Sequence, residues 1–251
     1  MSQWIGRVAA VTGASTGIGA EISAQLVKSG LKVVGLARRV DRLQKLKDDL
    51  SKFGEYHPVQ CDVTKEETIV KAFNWIDDNL GGVDILVNNA GILKNSSLTR
   101  GKTEDWKQVF DTNVLGLCIA SRQAIASMEK RNVAGYVIHI NSIAGHQIHP
   151  QVAPVLNVYV ASKHAVTALT ETLRLELLTK NSDIRVSSVS PGAVRSDILE
   201  ASQLQNSSFV NEINNCVLQP IDIANAVLYL LSTPPSVNVT ELTIMPLKGT
   251  T

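Results

Sequence analysis

Arg7-Val-Ala-Ala-Val-Thr12-Gly13-Ala-Ser15-Thr16-Gly17-Ile18-Gly19 is the stretch that decides the fold. Its first six residues form a short run with β-branched members that ends at a glycine, the pattern of a buried strand. Ala20, Ile22, Leu26 and Val27 follow at helical spacing. Strand, glycine-rich turn and helix are the setting in which glycines bring backbone close to a phosphate, at a helix N-terminus with unpaired N–H groups. The spacing Gly-x3-Gly-x-Gly is neither the common dinucleotide fingerprint nor that of nucleoside triphosphatases. A glycine turn that serves only tight packing stays open at this point.

The pattern repeats outward along the chain. Gly30 ends the first helix and Lys32 to Ala37 forms a second strand. An acidic residue is expected there if a ribose 2′-hydroxyl is to be held, but Arg38-Arg39 stands in its place. Guanidinium groups suit a 2′-phosphate, so the residues favour NADP over NAD. Asp41 to Phe53 is amphipathic, Tyr56 to Cys61 is a strand ending at Asp62-Val63, and Thr64 is placed to cap a helix running to about Leu80. Val83 to Val87 forms a fourth strand leading into Asn88-Asn89-Ala90-Gly91. Four strand–helix units in succession predict one doubly wound parallel sheet with helices on both faces.

A long helical region from about Thr103 to Arg131 is interrupted at Asp111-Thr-Asn113-Val-Leu-Gly116. A buried Asn113 needs partners, and two roles stay open: bridging backbone carbonyls, or holding a water in a proton path. Gly135 to Ile140 is a fifth strand ending at Asn141-Ser142, and Ile184 to Val189 a sixth, followed by Ser190-Pro191-Gly192. Pro220 to Leu231 is a helix and Val239 to Met245 a seventh strand, while Ile198 to Leu218 reads as a lid or short helices. Ligands of such sheets bind beyond the carboxyl ends of the strands. Gly13, Asn89, Ser142 and the start of the next helix therefore share one edge.

That next helix, about Val158 to Lys180, carries Tyr159 and Lys163 four residues apart and so on one face. A tyrosine is a poor base at its reference pKa of about 10, but a fixed ammonium beside it favours tyrosinate.

Composition narrows the alternatives. The 251 residues are 44% hydrophobic with net charge +1 and no charged block, which speaks against nucleic acid or an anionic membrane as partner. No apolar run is long enough to span a bilayer and no secretion signal is expected, so the chain reads as cytoplasmic. Cys61, Cys118 and Cys216 are too dispersed for a disulfide framework or a thiolate cluster. His146 and His149 lack further ligands, so no metal is expected.

Thr12-Gly13-x3-Gly17-Ile18-Gly19, Asp62-Val63, Asn88-Asn89-Ala90-Gly91, Asn113, Ser142, Tyr159-x3-Lys163 and Pro191-Gly192 occur in the order of the short-chain dehydrogenase/reductase family, which the chain resembles over nearly its whole length. Asn141-Ser-Ile-Ala-Gly-His146 and the tail from Leu231 to Pro246 further resemble the branch holding insect farnesol dehydrogenases and vertebrate member 11 of the family, a steroid dehydrogenase/reductase. The resemblance implies a single Rossmann domain over 1–251 with substrate loops at about 143–158 and 195–219. It implies Tyr159 as acid/base, Lys163 lowering its pKa and holding the nicotinamide ribose, Ser142 polarising the substrate oxygen, and Asn113 anchoring a water that links Lys163 to solvent. NADP contacts are expected from Gly13, Ser15, Thr16, Gly17, Ile18, Gly19, Arg38, Arg39, Asp62, Val63, Asn89, Ala90, Gly91, Tyr159, Lys163, Pro191, Gly192, Val194 and Ser196.

Two departures stand out: the interval from Ser142 to Tyr159 is longer than the family's usual one, and Ser196 stands where the family often has Thr. The long interval holds Ile148, Pro150, Val152, Pro154, Val155 and Leu156 and no charged Lys, Arg, Asp or Glu. With Leu199, Leu204, Phe209 and Val210 of the expected lid opposite, it predicts an apolar pocket for a lipophilic alcohol or carbonyl compound. His146 and His149 are its likeliest polar contacts, or else loop-packing residues. A steroid or carbonyl reductase and a catalytically silent NADP-binding redox sensor are the competing expectations. A Ser142–Lys163 hydrolase leaves the glycine turn and Arg38 unexplained. A homodimer or homotetramer, paired through the two longest helices, is a family expectation.

Overall fold

Seven strands form the sheet: β1 (Val8–Thr12), β2 (Lys32–Ala37), β3 (Tyr56–Gln60), β4 (Ile85–Asn88), β5 (Tyr136–Ile140), β6 (Arg185–Pro191) and β7 (Glu241–Ile244). All neighbours pair in parallel, in the order β3-β2-β1-β4-β5-β6-β7. The order reverses between β1 and β4, the crevice where open sheets of this kind take ligands. Helices α1 (Gly17–Lys28), α2 (Val40–Leu50), α3 (Glu66–Leu80), α4 (Thr103–Phe110), α5 (Gly116–Lys130), α6 (Ala153–Leu156), α7 (Val158–Thr179) and α8 (Pro220–Ser232) connect the strands. The computed structural model describes residues 1–150, 153–196, 198 and 217–248. Val152, Leu199, Leu204, Phe209, Val210 and Cys216, and with them most of the expected lid, lie outside the described residues.

Strand alternation divides the core between the two faces of the sheet. Ala9 and Val11 of β1 cluster with Ile22 and Leu26 of α1 and Ile223, Val227 and Leu230 of α8. Val8 and Ala10 cluster with Ile69 and Ile76 of α3, Ala124 and Met128 of α5 and Leu177 of α7. Side chains as fully buried as Leu26, Ile76 and Ile138 each contribute roughly 2 kcal/mol. Among the described residues, no helix is long and apolar enough to cross a membrane.

The amino end of the sheet is closed by an ion pair around the buried Asp84. Asp84 Oδ2 accepts from the Val8 N–H at 2.9 Å, and Arg131 Nη1 donates to Asp84 Oδ1 at 2.9 Å. The same guanidinium donates to the Val83 carbonyl, which ties α5 to the start of β4.

Several boundaries differ from the sequence expectation, each for a local reason. Thr64 does not cap α3; Lys65 holds that position, because the Thr64 N–H and hydroxyl both donate to Asp62 Oδ1, at 3.1 and 2.8 Å. β6 runs through Pro191 instead of stopping at Val189. The proline is tolerated because β5 has already ended, at Ile140 opposite Val189, so no partner waits for an N–H on that side. The interruption at Asp111–Leu115 is a five-residue π turn that joins α4 to α5 without a break.

Candidate functional site

The turn after β1 is built for close backbone approach. Gly13 has φ +66°, and a Cβ there would lie 2.9 Å from Ala90 Cα. A Cβ on Gly19 would strike the Asn89 side chain and stand 2.5 Å from the Gly13 carbonyl oxygen. Asn89 ties this turn to the end of β4: its Nδ2 donates to the Thr12 carbonyl at 2.9 Å, and the Asn89 and Ala90 N–H groups both donate to Thr12 Oγ1 at 3.0 Å. Thr16, the residue before α1, makes no side-chain cap, and the first turn carries no acidic residue. Its N–H groups and dipole are thereby left to an anion, so this cradle fits the pyrophosphate of a dinucleotide.

Arg39 lies over the same turn, with Nη2 donating to Ser15 Oγ at 3.1 Å and Thr16 Oγ1 at 3.2 Å. Arg38 is exposed beside it. No carboxylate stands at the end of β2, so the donor set fits a phosphorylated ribose. Asp62 and Val63 sit at the end of β3, where Asp62 is locked by Thr64 and Thr68 and the Val63 carbonyl packs against Gly116. Beyond β6, Val194 bridges to Leu218, using the Arg195 N–H and the Ala193 carbonyl; the polar backbone groups of Val194 itself point away from that bridge. Ser196 closes on the glycine turn, 3.5 Å from where a Gly17 Cβ would be.

Ser142, Tyr159 and Lys163 meet at the end of β5. Ser142 Oγ accepts from the Ala144 N–H at 3.1 Å and lies near enough to the Tyr159 phenol to favour its ionised form. Lys163 is buried, donates from Nζ to the Ile140 carbonyl at 2.9 Å, and holds Nζ 5.6 Å from the centre of the Tyr159 ring. Burial pulls the ammonium down to about 8. The expected depression of the phenol is not what the protein's own groups produce: burial pushes Tyr159 up to about 12, outweighing the influence of Ser142. The ammonium faces the ring and is aimed at a backbone carbonyl instead of the phenol oxygen.

Both amide hydrogens of Asn113 are engaged. Oδ1 accepts from the Ile92 N–H at 2.8 Å, and Nδ2 donates to the Ile92 carbonyl and to Ser162 Oγ, each at 3.0 Å. Of the two roles left open by its residue type, the side chain fills the bridging one: it joins the segment after β4 to α7, one residue before Lys163.

Leu93 and His139 had no signal in the residue pattern, whereas a loop-packing role for His146 was among the expectations. Leu93 is buried and packs with Val155, Leu156, Tyr159 and Ile198, forming an apolar wall beside the phenol. Among the interval residues predicted for a pocket, Val155 and Leu156 join that wall, whereas Ile148 is exposed. His146 packs the loop, with Nε2 2.9 Å from Ser190 Oγ and 3.3 Å from Glu241 Oε2. His139, read only as part of β5, is wholly buried next to Lys163 in a polar chain. Thr170 Oγ1 donates to the Val166 carbonyl at 2.7 Å and so accepts from His139 Nδ1 at 2.9 Å. His139 Nε2 then accepts from Ser121 Oγ at 3.3 Å, and Ser121 in turn accepts from Asn88 Nδ2 at 2.9 Å. Burial first, and the Lys163 charge second, hold this imidazole neutral down to about 3.

A parallel sheet in this order, a Gly-x3-Gly-x-Gly turn at its switch point, and Ser142, Tyr159 and Lys163 gathered at the next strand end define an oxidoreductase of one family. The family model described as short chain dehydrogenase matches residues 7–207, and the chain belongs to that family. Among its relatives is a farnesol dehydrogenase of Aedes aegypti, 49% identical over 249 residues, 98% of each chain. Dehydrogenase/reductase SDR family member 11 of Gallus gallus is 42% identical, again over 98% of each chain. Among solved structures, the closed form of serine dehydrogenase complexed with NADP+ superposes with a TM-score of 0.87 at 31% identity, covering 97% of this chain and 96% of that one.

Proposed function

We propose that this chain is an NADP-dependent oxidoreductase of the cytoplasm that interconverts a lipophilic alcohol and its aldehyde or ketone, with farnesol-like isoprenoid alcohols as the substrate class. The observation that carries the substrate class is the wall in which Val155, Leu156 and Ile198 pack with Tyr159 around the buried Leu93. It offers no charged group to hold a sugar or a carboxylate, whose unpaired burial costs several kcal/mol. The relative that acts on farnesol supports the same class. Arg39 over Ser15 and Thr16 supports NADP, as does the structural neighbour that holds NADP+.

When bound, the nicotinamide accepts the hydride in oxidation and supplies it in reduction. Tyr159 exchanges the hydroxyl proton of the substrate, and Ser142, oriented by the Ala144 N–H, polarises the same oxygen. Lys163 has three hydrogens and commits one to the Ile140 carbonyl, which leaves two for the nicotinamide ribose and a water. That water is held through an acceptor of Asn113, since both amide hydrogens of Asn113 are committed. Gly13, Gly17, Ile18 and Gly19 would hold the pyrophosphate and Arg38 and Arg39 the 2′-phosphate, with Asp62, Val63, Asn89, Ala90 and Gly91 as further contacts of the cofactor. Pro191, Gly192, Val194 and Ser196 take the nicotinamide amide. The exposed Leu115, Leu175 and Leu178 support pairing of copies through α5 and α7.

Purified protein with NADP+ and a panel of primary alcohols, isoprenoid alcohols, steroids, sugars and hydroxy acids tests the reading. kcat/KM should rise along the primary alcohols by roughly fourfold per methylene, about 0.8 kcal/mol each, until the pocket is full. A flat series, or a preference for sugars or hydroxy acids, removes the substrate class.

A further inference from the structure

Asn157, two residues before Tyr159, has φ +43° and ψ −122°, a conformation that residues with a side chain rarely adopt. Backbone held in such a region persists only where its surroundings over-determine it, and it concentrates at functional sites. The surroundings of Asn157 do so with one amide. Oδ1 accepts from the Val158 N–H at 2.7 Å and caps α7. Nδ2 donates to the Lys94 carbonyl and to the Val155 carbonyl, each at 3.0 Å. The side chain is buried, so these bonds are made away from competing water.

The two carbonyls belong to the two sides of the apolar wall. Lys94 follows Leu93, Val155 precedes Leu156, and Val155, Leu156 and Tyr159 all pack against Leu93. A single planar NH2 group therefore sets the spacing between the segment after β4 and the segment before α7, while the adjoining carbonyl oxygen sets where α7 begins. Asn157 thus bonds to both segments and to the first turn of the Tyr159 helix.

We propose that Asn157 is a positioning residue that fixes the phenol of Tyr159 against the Leu93 and Val155–Leu156 sides of the substrate wall, and so sets both turnover and discrimination between long and short apolar alcohols. This rests on Tyr159 being the acid/base. Asn157 touches neither proton nor hydride, but a displacement of about 1 Å at a reacting group costs up to roughly a hundredfold in rate.

Three variants separate its parts. Asn157→Asp keeps the Val158 cap and turns oxygen lone pairs on the Lys94 and Val155 carbonyls. Asn157→Ser keeps a cap without either clamp, and Asn157→Gly relieves the backbone while losing all three bonds. NADPH affinity should stay within about twofold of the parent in each, while kcat on a ten-carbon alcohol falls roughly tenfold or more. The preference for ten over four carbons should shrink by about fivefold, and the pH profile of kcat/KM should shift with the surroundings of Tyr159. Tyr159→Phe is run beside them. If that variant keeps its kcat, the acid/base reading falls and this proposal with it. If Tyr159→Phe is inactive while folded Asn157→Asp and Asn157→Ser keep the parental kcat, chain-length preference and pH profile, the role of Asn157 alone is overturned. A lowered thermal midpoint with unchanged kinetics likewise reduces Asn157 to a structural cap and overturns it.

Discussion

The ammonium of Lys163 lies over the face of the Tyr159 ring, 5.6 Å from its centre. With Nζ bonded to the Ile140 carbonyl, its position is set by β5. In the proposed reaction the phenol alone exchanges a proton, and the lysine serves both phenol and cofactor. Tyr159→Phe should then fold and bind NADP while kcat falls by about 10² or more. Lys163→Ala should lose turnover and cofactor affinity together. Stopped-flow turnover with parallel NADPH fluorescence titration reads both, and a Tyr159→Phe enzyme near parental kcat places the acid/base elsewhere.

Arg39 is held on Ser15 and Thr16, at the phosphate end of the glycine turn. The enzyme should prefer NADP(H) over NAD(H) by at least about tenfold, or roughly 1.4 kcal/mol. Arg39→Ala should lose most of that preference and Arg38→Ala less, since Arg38 makes no such contact with the turn. Because the guanidinium is exposed, the preference should weaken as salt is raised. Equal affinities for both cofactors in the parent contradict the assignment.

His139 gives the fold a signature in acid. Its folded pKa of about 3 lies below the ordinary 6.5, so an unfolded chain takes up a proton that the folded chain refuses. The stability it contributes is full above about pH 6.5 and is lost as pH falls toward 3, by about 1.4 kcal/mol per pH unit. His139→Asn should flatten the fall of the thermal midpoint between about pH 6 and 4, the span that this histidine dominates. Parallel pH–stability curves for the two proteins leave no such role for His139.

At the opposite end of the sheet, Arg131→Ala should leave the buried Asp84 with the Val8 N–H and the more distant, exposed Arg7 guanidinium at 3.7 Å. Losing this charge-assisted hydrogen bond should cost about 2 kcal/mol, or roughly 4–8 °C of thermal midpoint for a domain of this size. The kinetic constants should be untouched, because the site lies beyond the carboxyl ends of the strands. A kinetic change without a stability change would count against this division of the sheet.

The sheet was legible in the sequence because each strand is a short apolar run between turn residues, and because the glycine turn sits where a strand meets a helix. Tyr159 and Lys163 were legible because helical spacing alone puts them on one face. Leu93 was not: a single leucine in a loop carries no period, and only folding brings it to Tyr159. His139 was hidden inside Tyr-Val-Ile-His-Ile, whose alternation gives a strand whichever residue stands there. The failure of Thr64 as a cap came from Asp62, two residues earlier, which captures both of its donors. The raised pKa of Tyr159 comes from how deeply the phenol is buried, which spacing does not determine.

The π turn at Asp111–Leu115 has a consequence for insertions and deletions. A turn of this kind absorbs one extra residue while the helices on either side keep the phase of an unbroken α-helix. Removing one residue from it, such as Val114, should therefore leave α5 still presenting Ala120, Ala124 and Met128 to the sheet. What changes is the width of the turn that carries Asn113, and with it the bracket on Ile92 and the bond to Ser162. Here a helical segment can be shortened without scrambling the core, and the shorter protein should be folded but chemically impaired. The same deletion one turn further on, inside α5, rotates every later side chain by about 100° and takes the core apart.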